Sequence, residues 1–211
     1  MQTSAPAPLA HPAPRAQGRL TPYMLNHAAW STPDAAATAD FYVRIMGMDI
    51  ASTVIGDKIP STGDPIPYFH IFFRMLDGST LAFFEAPGVP PPVQQTHPAY
   101  DIFNHIALQA AGREEVLAWM EWLRANGVDV IGPVDHDGLI LSIYFHDPSG
   151  LRLEITTPID PDWNRHTEKG SEDLAMWVGA KEKALAEGRD VPSAMIEMIV
   201  QARANRRQAH T

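Results

Sequence analysis

The sequence predicts an α+β protein built from two copies of one β-α-β-β-β module, followed by a helical C-terminal extension. Three observations support this fold class. Residues 25–30 are echoed by residues 103–108, and each segment carries an Asn-His pair. A helical segment follows each copy and ends at a glycine, Gly47 or Gly127. Two strand-like runs around a turn then close each copy, and two copies of one unit are the simplest interpretation of such a repeat.

The composition excludes several classes of protein. A chain of 211 residues with 45% hydrophobic residues is typical of a globular protein. Its net charge of −9 argues against a general nucleic-acid binder, because phosphate binding needs clustered Lys and Arg. The absence of cysteine excludes disulfides, zinc fingers and thiol nucleophiles. No apolar run approaches the roughly 18 residues that a membrane helix needs, so we expect a soluble cytoplasmic protein.

The first module is predicted from its turn and capping residues. A strand at about residues 24–30 leads into residues 31–34, where a hydroxyl cap and a proline at the first helical position open a helix. Two later strand-like runs, residues 68–76 and 80–85, flank the Asp-Gly pair at residues 77–78. Such a pair between two strands is a strong signal for a hairpin.

The second module is predicted in the same way. A strand at about residues 103–109 precedes a helix at about residues 113–126, which Gly127 ends. A short strand at about residues 128–132 follows. A hairpin through residues 147–150 completes the module.

The remaining segments set the expected domain boundaries. The first residues are rich in Ala and Pro without an apolar segment, so we expect a disordered leader and not a secretory signal. Helices capped at Ser171 and opened by Pro192 are expected to pack on the core or on a second subunit. The predicted organisation is a leader at 1–19, the first module at 20–87, an extended linker at 88–101, the second module at 102–158 and a helical extension at 159–211.

Strand alternation places His27 and His105 in similar surroundings. His27 shares a face with Ala29, and His105 shares a face with Ala107, while bulkier neighbours point the other way. Small residues therefore leave room beside each histidine. For a lone histidine, a hydrogen-bonded polar group on a sheet face is the usual interpretation, but the repeat makes a coincidence in both copies less expected.

Glu154 supplies a carboxylate inside a strand, on one face with Arg152 and Thr156. Burying such a group is unfavourable unless it is paired or binds a metal. Two imidazoles and one carboxylate form the facial triad that suits Fe(II) with open positions for substrate and oxygen. His27, His105 and Glu154 are therefore candidate metal ligands.

This arrangement resembles the vicinal oxygen chelate superfamily, which includes glyoxalase I, bleomycin-resistance proteins and type I extradiol dioxygenases. The stretch from residue 134 to 154 is also similar to the extradiol ring-cleavage motif. It has His136 near its start, Tyr144 in its middle, and the turn at residues 147–150 leading to Glu154. The resemblance covers about residues 20–160 and implies that both modules form one cupped half-barrel sheet around a single metal.

The resemblance implies a compact single-domain extradiol dioxygenase of aromatic catabolism, acting as a homo-oligomer such as a dimer. His27, His105 and Glu154 would bind Fe(II) or, less often, Mn(II), and the substrates would be a small aromatic diol and O2. Tyr144 would hydrogen-bond a substrate or intermediate oxygen. His136 would contact the diol or move its proton, a role that suits an imidazole near neutral pH.

The chain departs from the dioxygenase pattern in one catalytic position. Two-domain extradiol enzymes place another histidine shortly before the second ligand histidine, in the strand that corresponds to residues 79–83. That strand has no histidine here. His70 on the preceding strand or His97 in the linker could fill the space, although each is expected more often to be structural.

Glu85 leaves two other interpretations open. Its place in the repeat matches that of Glu154, so it could be a fourth ligand, as in glyoxalase I, or a hydrogen-bond partner of a ligand histidine. A four-ligand site with Zn(II), Ni(II) or Co(II) favours proton transfer next to a carbonyl, as in an isomerase, lyase or epimerase. A metal-free small-molecule binding protein of the same fold is the alternative from a different class.

Overall fold

The computed structural model describes residues 25–90 and 99–208. The chain divides into a first compact unit that ends at Thr157 and a second that begins at Pro158. The first unit holds both β-α-β-β-β modules, and the second consists of helices, so the predicted α+β class is confirmed. The predicted leader and most of the predicted linker lie outside the described residues.

The first module consists of β1 (His27–Ser31), α1 (Ala35–Asp40) with a π-helical turn (Phe41–Ile45), β2 (Asp49–Gly56), β3 (Tyr68–Arg74) and β4 (Thr80–Glu85). Its strands form a four-stranded sheet of order β1-β4-β3-β2. Strand β1 runs parallel to β4, and the other neighbours are antiparallel. Helix α1 begins after Asp34, whose carboxylate accepts hydrogen bonds from the backbone N–H groups of Ala36 and Ala37. The cap is therefore Asp34 and not the expected hydroxyl residue.

The second module consists of α2 (Ala99–Phe103), β5 (Ile106–Gln109), α3 (Arg113–Ala125), β6 (Ile131–Asp135), β7 (Ile140–His146) and β8 (Arg152–Pro158). Its strands repeat the arrangement of the first module in a sheet of order β5-β8-β7-β6. Its first strand begins later than expected, because a short helix occupies residues 99–103. Strand β6 also begins three residues later than expected.

One hydrophobic core joins the two modules. It contains buried side chains from the helices and from one face of each sheet. Among the described residues, three side chains donate hydrogen bonds across the modules. The Tyr42 hydroxyl donates to Asp147 over 3.0 Å, Arg44 Nη1 donates to Asn126 Oδ1 over 3.2 Å, and Trp122 Nε1 donates to the Ile45 carbonyl over 2.8 Å. The largest fully buried core residues are Tyr42, Phe73, Leu81, Phe83, Val116, Leu123, Ile143, Phe145 and Leu153.

Because each sheet turns one face to this shared core, its opposite face points away from the core. We call these the outer faces. The outer face of the first sheet carries His27, His70, Phe72 and Phe84, and that of the second carries Ser142, Tyr144, Arg152 and Glu154. Within the described chain the strands form two four-stranded sheets, one from each module.

The second unit contains α4 (Thr167–Ala186) and α5 (Val191–Gln208), which pack on each other. Ser171 lies inside α4, where its hydroxyl donates to the Thr167 carbonyl, so it is not the cap that the sequence suggested. None of the helices among the described residues is both long and apolar enough to cross a membrane.

Candidate metal centre

His105 and Glu154 meet on the outer face of the second sheet. The parallel register of β5 and β8 pairs Ala107 with Glu154, and His105 precedes β5 by one residue. His105 Nε2 lies 2.8 Å from Glu154 Oε2, with the histidine side chain 29% exposed and the carboxylate 3% exposed. An imidazole that is open to solvent on one side therefore sits against a buried carboxylate.

The other oxygen of Glu154 is fixed by the neighbouring strand. The Ser142 hydroxyl donates to Glu154 Oε1, and the same hydroxyl lies 2.9 Å from Thr156 Oγ1. Both carboxylate oxygens thus have a partner, which offsets the unfavourable burial of the charge. Each oxygen can accept more than one bond, so lone pairs remain for a cation.

His136 and Tyr144 form a second pair beside the first. His136 Nε2 lies 2.7 Å from the Tyr144 hydroxyl, and the Tyr144 ring contacts the His105 ring edge-to-face with 5.8 Å between centroids. Burial, together with the nearby Glu154 carboxylate, raises the pKa of Tyr144. The phenol therefore keeps its proton at neutral pH and can donate a hydrogen bond. His136 is exposed to solvent.

His27 lies apart from these pairs, on the outer face of the first sheet. Its ring nitrogen Nδ1 lies 2.7 Å from Asn26 Oδ1, and its ring contacts His70 and Phe72. Among the described residues, no three His, Asp or Glu side chains stand close enough together to hold a metal ion. One chain therefore brings together two of the three predicted ligands, because the two outer faces point away from a common core.

His70 belongs to the surroundings of His27 and not to those of His136. It is 8% exposed and stacks on Phe84 with 3.5 Å between ring centroids. Burial and the neighbouring His27 lower the pKa of His70, so it is neutral at neutral pH. The other candidate pocket residue, His97, lies outside the described residues.

Glu85 lies on the core side of the first sheet. It pairs with Phe69, and its Oε2 accepts the backbone N–H of Ala35 at the start of α1 over 2.7 Å. The register of β1 with β4 places Ala82 opposite Ala29, so Ala82 corresponds to Glu154. The expected equivalence of Glu85 with Glu154 does not hold, because the two carboxylates lie on opposite faces of their sheets. The glyoxalase-like site of four ligands would need a carboxylate at the position of Ala82, where the chain has none.

Arg152 is a functional candidate that the sequence analysis did not select. Its guanidinium carbon lies 4.5 Å from the centre of the Tyr144 ring, and the residue is only 9% exposed. Strand alternation already placed it on one face with Glu154. A charged residue on the same face of a strand as a candidate ligand is the signal that could have identified it.

The fold and this site define an α+β protein of paired β-α-β-β-β modules with a His-Glu pair on one sheet. Residues 24–155 match the family described as the Glyoxalase/Bleomycin resistance protein/Dioxygenase superfamily. The chain belongs to this superfamily, and the resemblance stated from the motifs is thereby confirmed. The superfamily contains enzymes, and its members typically form oligomers and bind small molecules.

Three known proteins illustrate the range of the relatives. The chain is 25% identical over 135 residues to MhqA of Bacillus subtilis, a candidate ring-cleaving dioxygenase, covering 63% of this chain and 39% of that protein. It is 31% identical over 134 residues to the metallothiol transferase FosB of Bacillus licheniformis, covering 63% of this chain and 74% of that protein. A glyoxalase/bleomycin resistance protein/dioxygenase domain from Frankia sp. EAN1pec shares the fold, with a TM-score of 0.53, 14% identity and coverage of 65% and 99%.

Proposed function

We propose that this chain is an Fe(II)-dependent extradiol dioxygenase that cleaves the ring of a catechol-type substrate with O2. The observation that carries the proposal is the His136–Tyr144 pair, which lies on the same sheet face as the His105–Glu154 pair and contacts it through the Tyr144 ring. Ring cleavage needs both a metal site and a nearby proton donor and acceptor. The similarity to MhqA supports the same activity.

The donor set fits the metal. Imidazole and carboxylate ligands suit Fe(II) and also accept Mn(II). His105 and Glu154 would supply two of the ligands from one chain. We propose that the third is His27 of the partner subunit, because His27 is exposed on an outer face that points away from the core of its own chain. In a two-fold symmetric dimer each copy would complete the site of the other.

When bound, the metal would supply open positions for a vicinal diol and for O2. The residues of this chain would orient the diol and move its proton. Tyr144 hydrogen-bonds a hydroxyl of the substrate. When the diol gives up its proton, the Tyr144 oxygen accepts it and the Tyr144 O–H proton moves to Nε2 of His136, whose exposed ring returns a proton to water.

A second candidate function is thiol transfer of the kind named for FosB. The observation that favours it is the 31% identity with FosB over 74% of that protein. Such a reaction would also use His105 and Glu154, but it gives no particular role to the His136–Tyr144 pair. A glyoxalase-like isomerase is less favoured, because Glu85 lies on the opposite face of its sheet. A metal-free binding protein would have no need for the His105–Glu154 pair.

Oxygen uptake tests the proposal directly. The protein is loaded anaerobically with Fe(II) and mixed with a panel of catechols in the presence of O2. We expect oxygen consumption matched by a yellow ring-fission product. Tyr144→Phe should keep its metal and lose about 100-fold in turnover. Tyr100→Phe, at an exposed position of α2, is the matched control and should be fully active.

Two outcomes would contradict ring cleavage. One is the absence of oxygen uptake with every diol from protein that carries Fe(II). The other is a Tyr144→Phe variant that turns over as fast as the Tyr100→Phe control. Thiol transfer to an electrophile by the Mn(II)-loaded protein, together with no oxygen uptake, would favour the second candidate.

Glu85→Gln is expected to retain the metal and to lose stability. The carboxylate of Glu85 accepts a hydrogen bond at the first turn of α1, where a negative charge is favourable. Gln can keep the bond but not the charge, so we expect the free energy of unfolding to fall by about 0.5–1 kcal/mol. Urea unfolding and metal analysis of the same sample measure both effects. Loss of the metal from this variant would show that Glu85 is a ligand after all.

A further inference from the structure

Arg152 is an arginine that is only 9% exposed and forms no ion pair with the other described residues. Its Nε is inaccessible to solvent and has no hydrogen-bond partner among the described residues. The described part of the chain also places no carboxylate within ion-pair distance of the guanidinium. Burial of a guanidinium N–H without a hydrogen-bond partner is unfavourable, and the contact with the Tyr144 ring does not supply that partner.

The carboxylate nearest along the chain is already engaged. Glu154 follows Arg152 by two positions on the same face of β8, and its oxygens contact His105 and Ser142. Residues two apart in a strand have Cα atoms roughly 7 Å apart, so the side chains of Arg152 and Glu154 leave the sheet at separate points. Tyr144 contacts both His105 and Arg152. The unpaired cation therefore lies at one end of the candidate site, with the His105–Glu154 pair at the other.

We propose that Arg152 binds an anionic oxygen group of the substrate, a carboxylate or a phosphonate, whose other end is held at His105 and Glu154. A guanidinium offers a planar fork of N–H donors that matches such groups, and it is weakly hydrated enough to be buried beside an aromatic ring. The favoured substrate class is then an acidic catechol and not a neutral one. This substrate assignment rests on the proposed ring cleavage, whereas anion binding by Arg152 does not.

Anion binding is tested on the metal-free, unsubstituted protein. The Nε–H resonance of Arg152 is assigned by NMR through its own backbone amide and followed during titration with benzoate, methylphosphonate and the neutral benzamide. We expect saturable shifts with the two anions and none with benzamide. A tighter response to benzoate assigns the site to carboxylates, and a tighter response to methylphosphonate assigns it to phosphonates. The absence of a shift with either anion, or an equal shift with benzamide, would overturn the proposal.

Turnover tests the substrate class. On the Fe(II)-loaded enzyme, Arg152→Gln should lower kcat/KM for 3,4-dihydroxybenzoate between about 10-fold and 100-fold, the effect of losing a charged hydrogen bond. The loss for unsubstituted catechol should be at least about tenfold smaller, since that substrate makes no such bond. Arg124→Gln, an exposed arginine of α3, is the matched control.

The two proposals fail in different ways. An equal loss on both diols would make Arg152 a support for Tyr144 and not a substrate ligand, and it would overturn the inference. If neither diol is turned over, ring cleavage fails, and the NMR titration alone decides whether Arg152 binds anions.

Discussion

Glu154→Gln is expected to abolish metal binding while leaving the fold intact. Gln has the shape of Glu and can still accept the hydrogen bond from Ser142 Oγ, but its neutral amide is a poor ligand for Fe(II). Even partners that only orient a metal ligand are worth 10- to 100-fold in affinity, so loss of a ligand should weaken binding by at least about 100-fold. Because the substitution also removes a buried charge, we expect stability to change by no more than about 1 kcal/mol.

Metal content after anaerobic loading with Fe(II), measured beside a urea unfolding curve, checks this expectation. Glu85→Gln is the matched control, because it makes the same chemical change on the core side of the first sheet. Full retention of Fe(II) by Glu154→Gln would contradict the assignment of Glu154 as a ligand. Equal loss of metal from both variants would indicate that Glu85 is also a metal ligand.

The sequence predicts the second module's half of the site because strand alternation has a period of two. Once β5 and β8 are recognised, the face of every side chain follows, and His105 is placed with Glu154. The same reasoning makes the meeting of His136 with Tyr144 understandable. These are local consequences of one sheet, which is why they could be expected from residue order alone.

Glu85 shows where the repeat misleads. The match of Glu85 with Glu154 rests on the sequence that follows each glutamate. The face of the sheet on which a side chain lies depends instead on strand register. The register places Ala82 and not Glu85 at the position of Glu154. An odd shift between two repeats moves a side chain to the other face of the sheet. Register depends on pairing between strands distant in sequence, and the sequence pattern does not specify it.

His27 shows a second limit. Its face on β1 is the predicted one, but a common face does not bring two sheets together. Hydrophobic residues on the helices and on the core sides of both sheets pack into one shared core. The hydrogen bond from Trp122 Nε1 to the Ile45 carbonyl also joins the two modules on this side. Because the two modules pack through their helices and core-side strand faces, their outer faces point away from each other. Residue periodicity would be the same if the outer faces packed together, so it does not predict which arrangement forms.

A mixture of two inactive variants is expected to recover part of the activity. His27→Ala lacks one proposed ligand and Glu154→Gln lacks another, so a dimer of either variant alone has no complete site. In a mixed dimer, His27 of the Glu154→Gln copy would meet the intact His105 and Glu154 of the other copy. One of the two sites would then be whole, because a two-fold dimer exchanges the same residues in both directions.

Metal analysis of this mixed dimer tests the shared site most directly. The two variants are co-expressed with different affinity tags, and the doubly tagged species is purified, loaded with Fe(II) and assayed for oxygen uptake with a catechol. We expect the mixed dimer to hold about half the metal and to show about half the turnover of the unsubstituted dimer. A mixed dimer that binds no Fe(II), or a chain that remains monomeric with a full metal site, would contradict it.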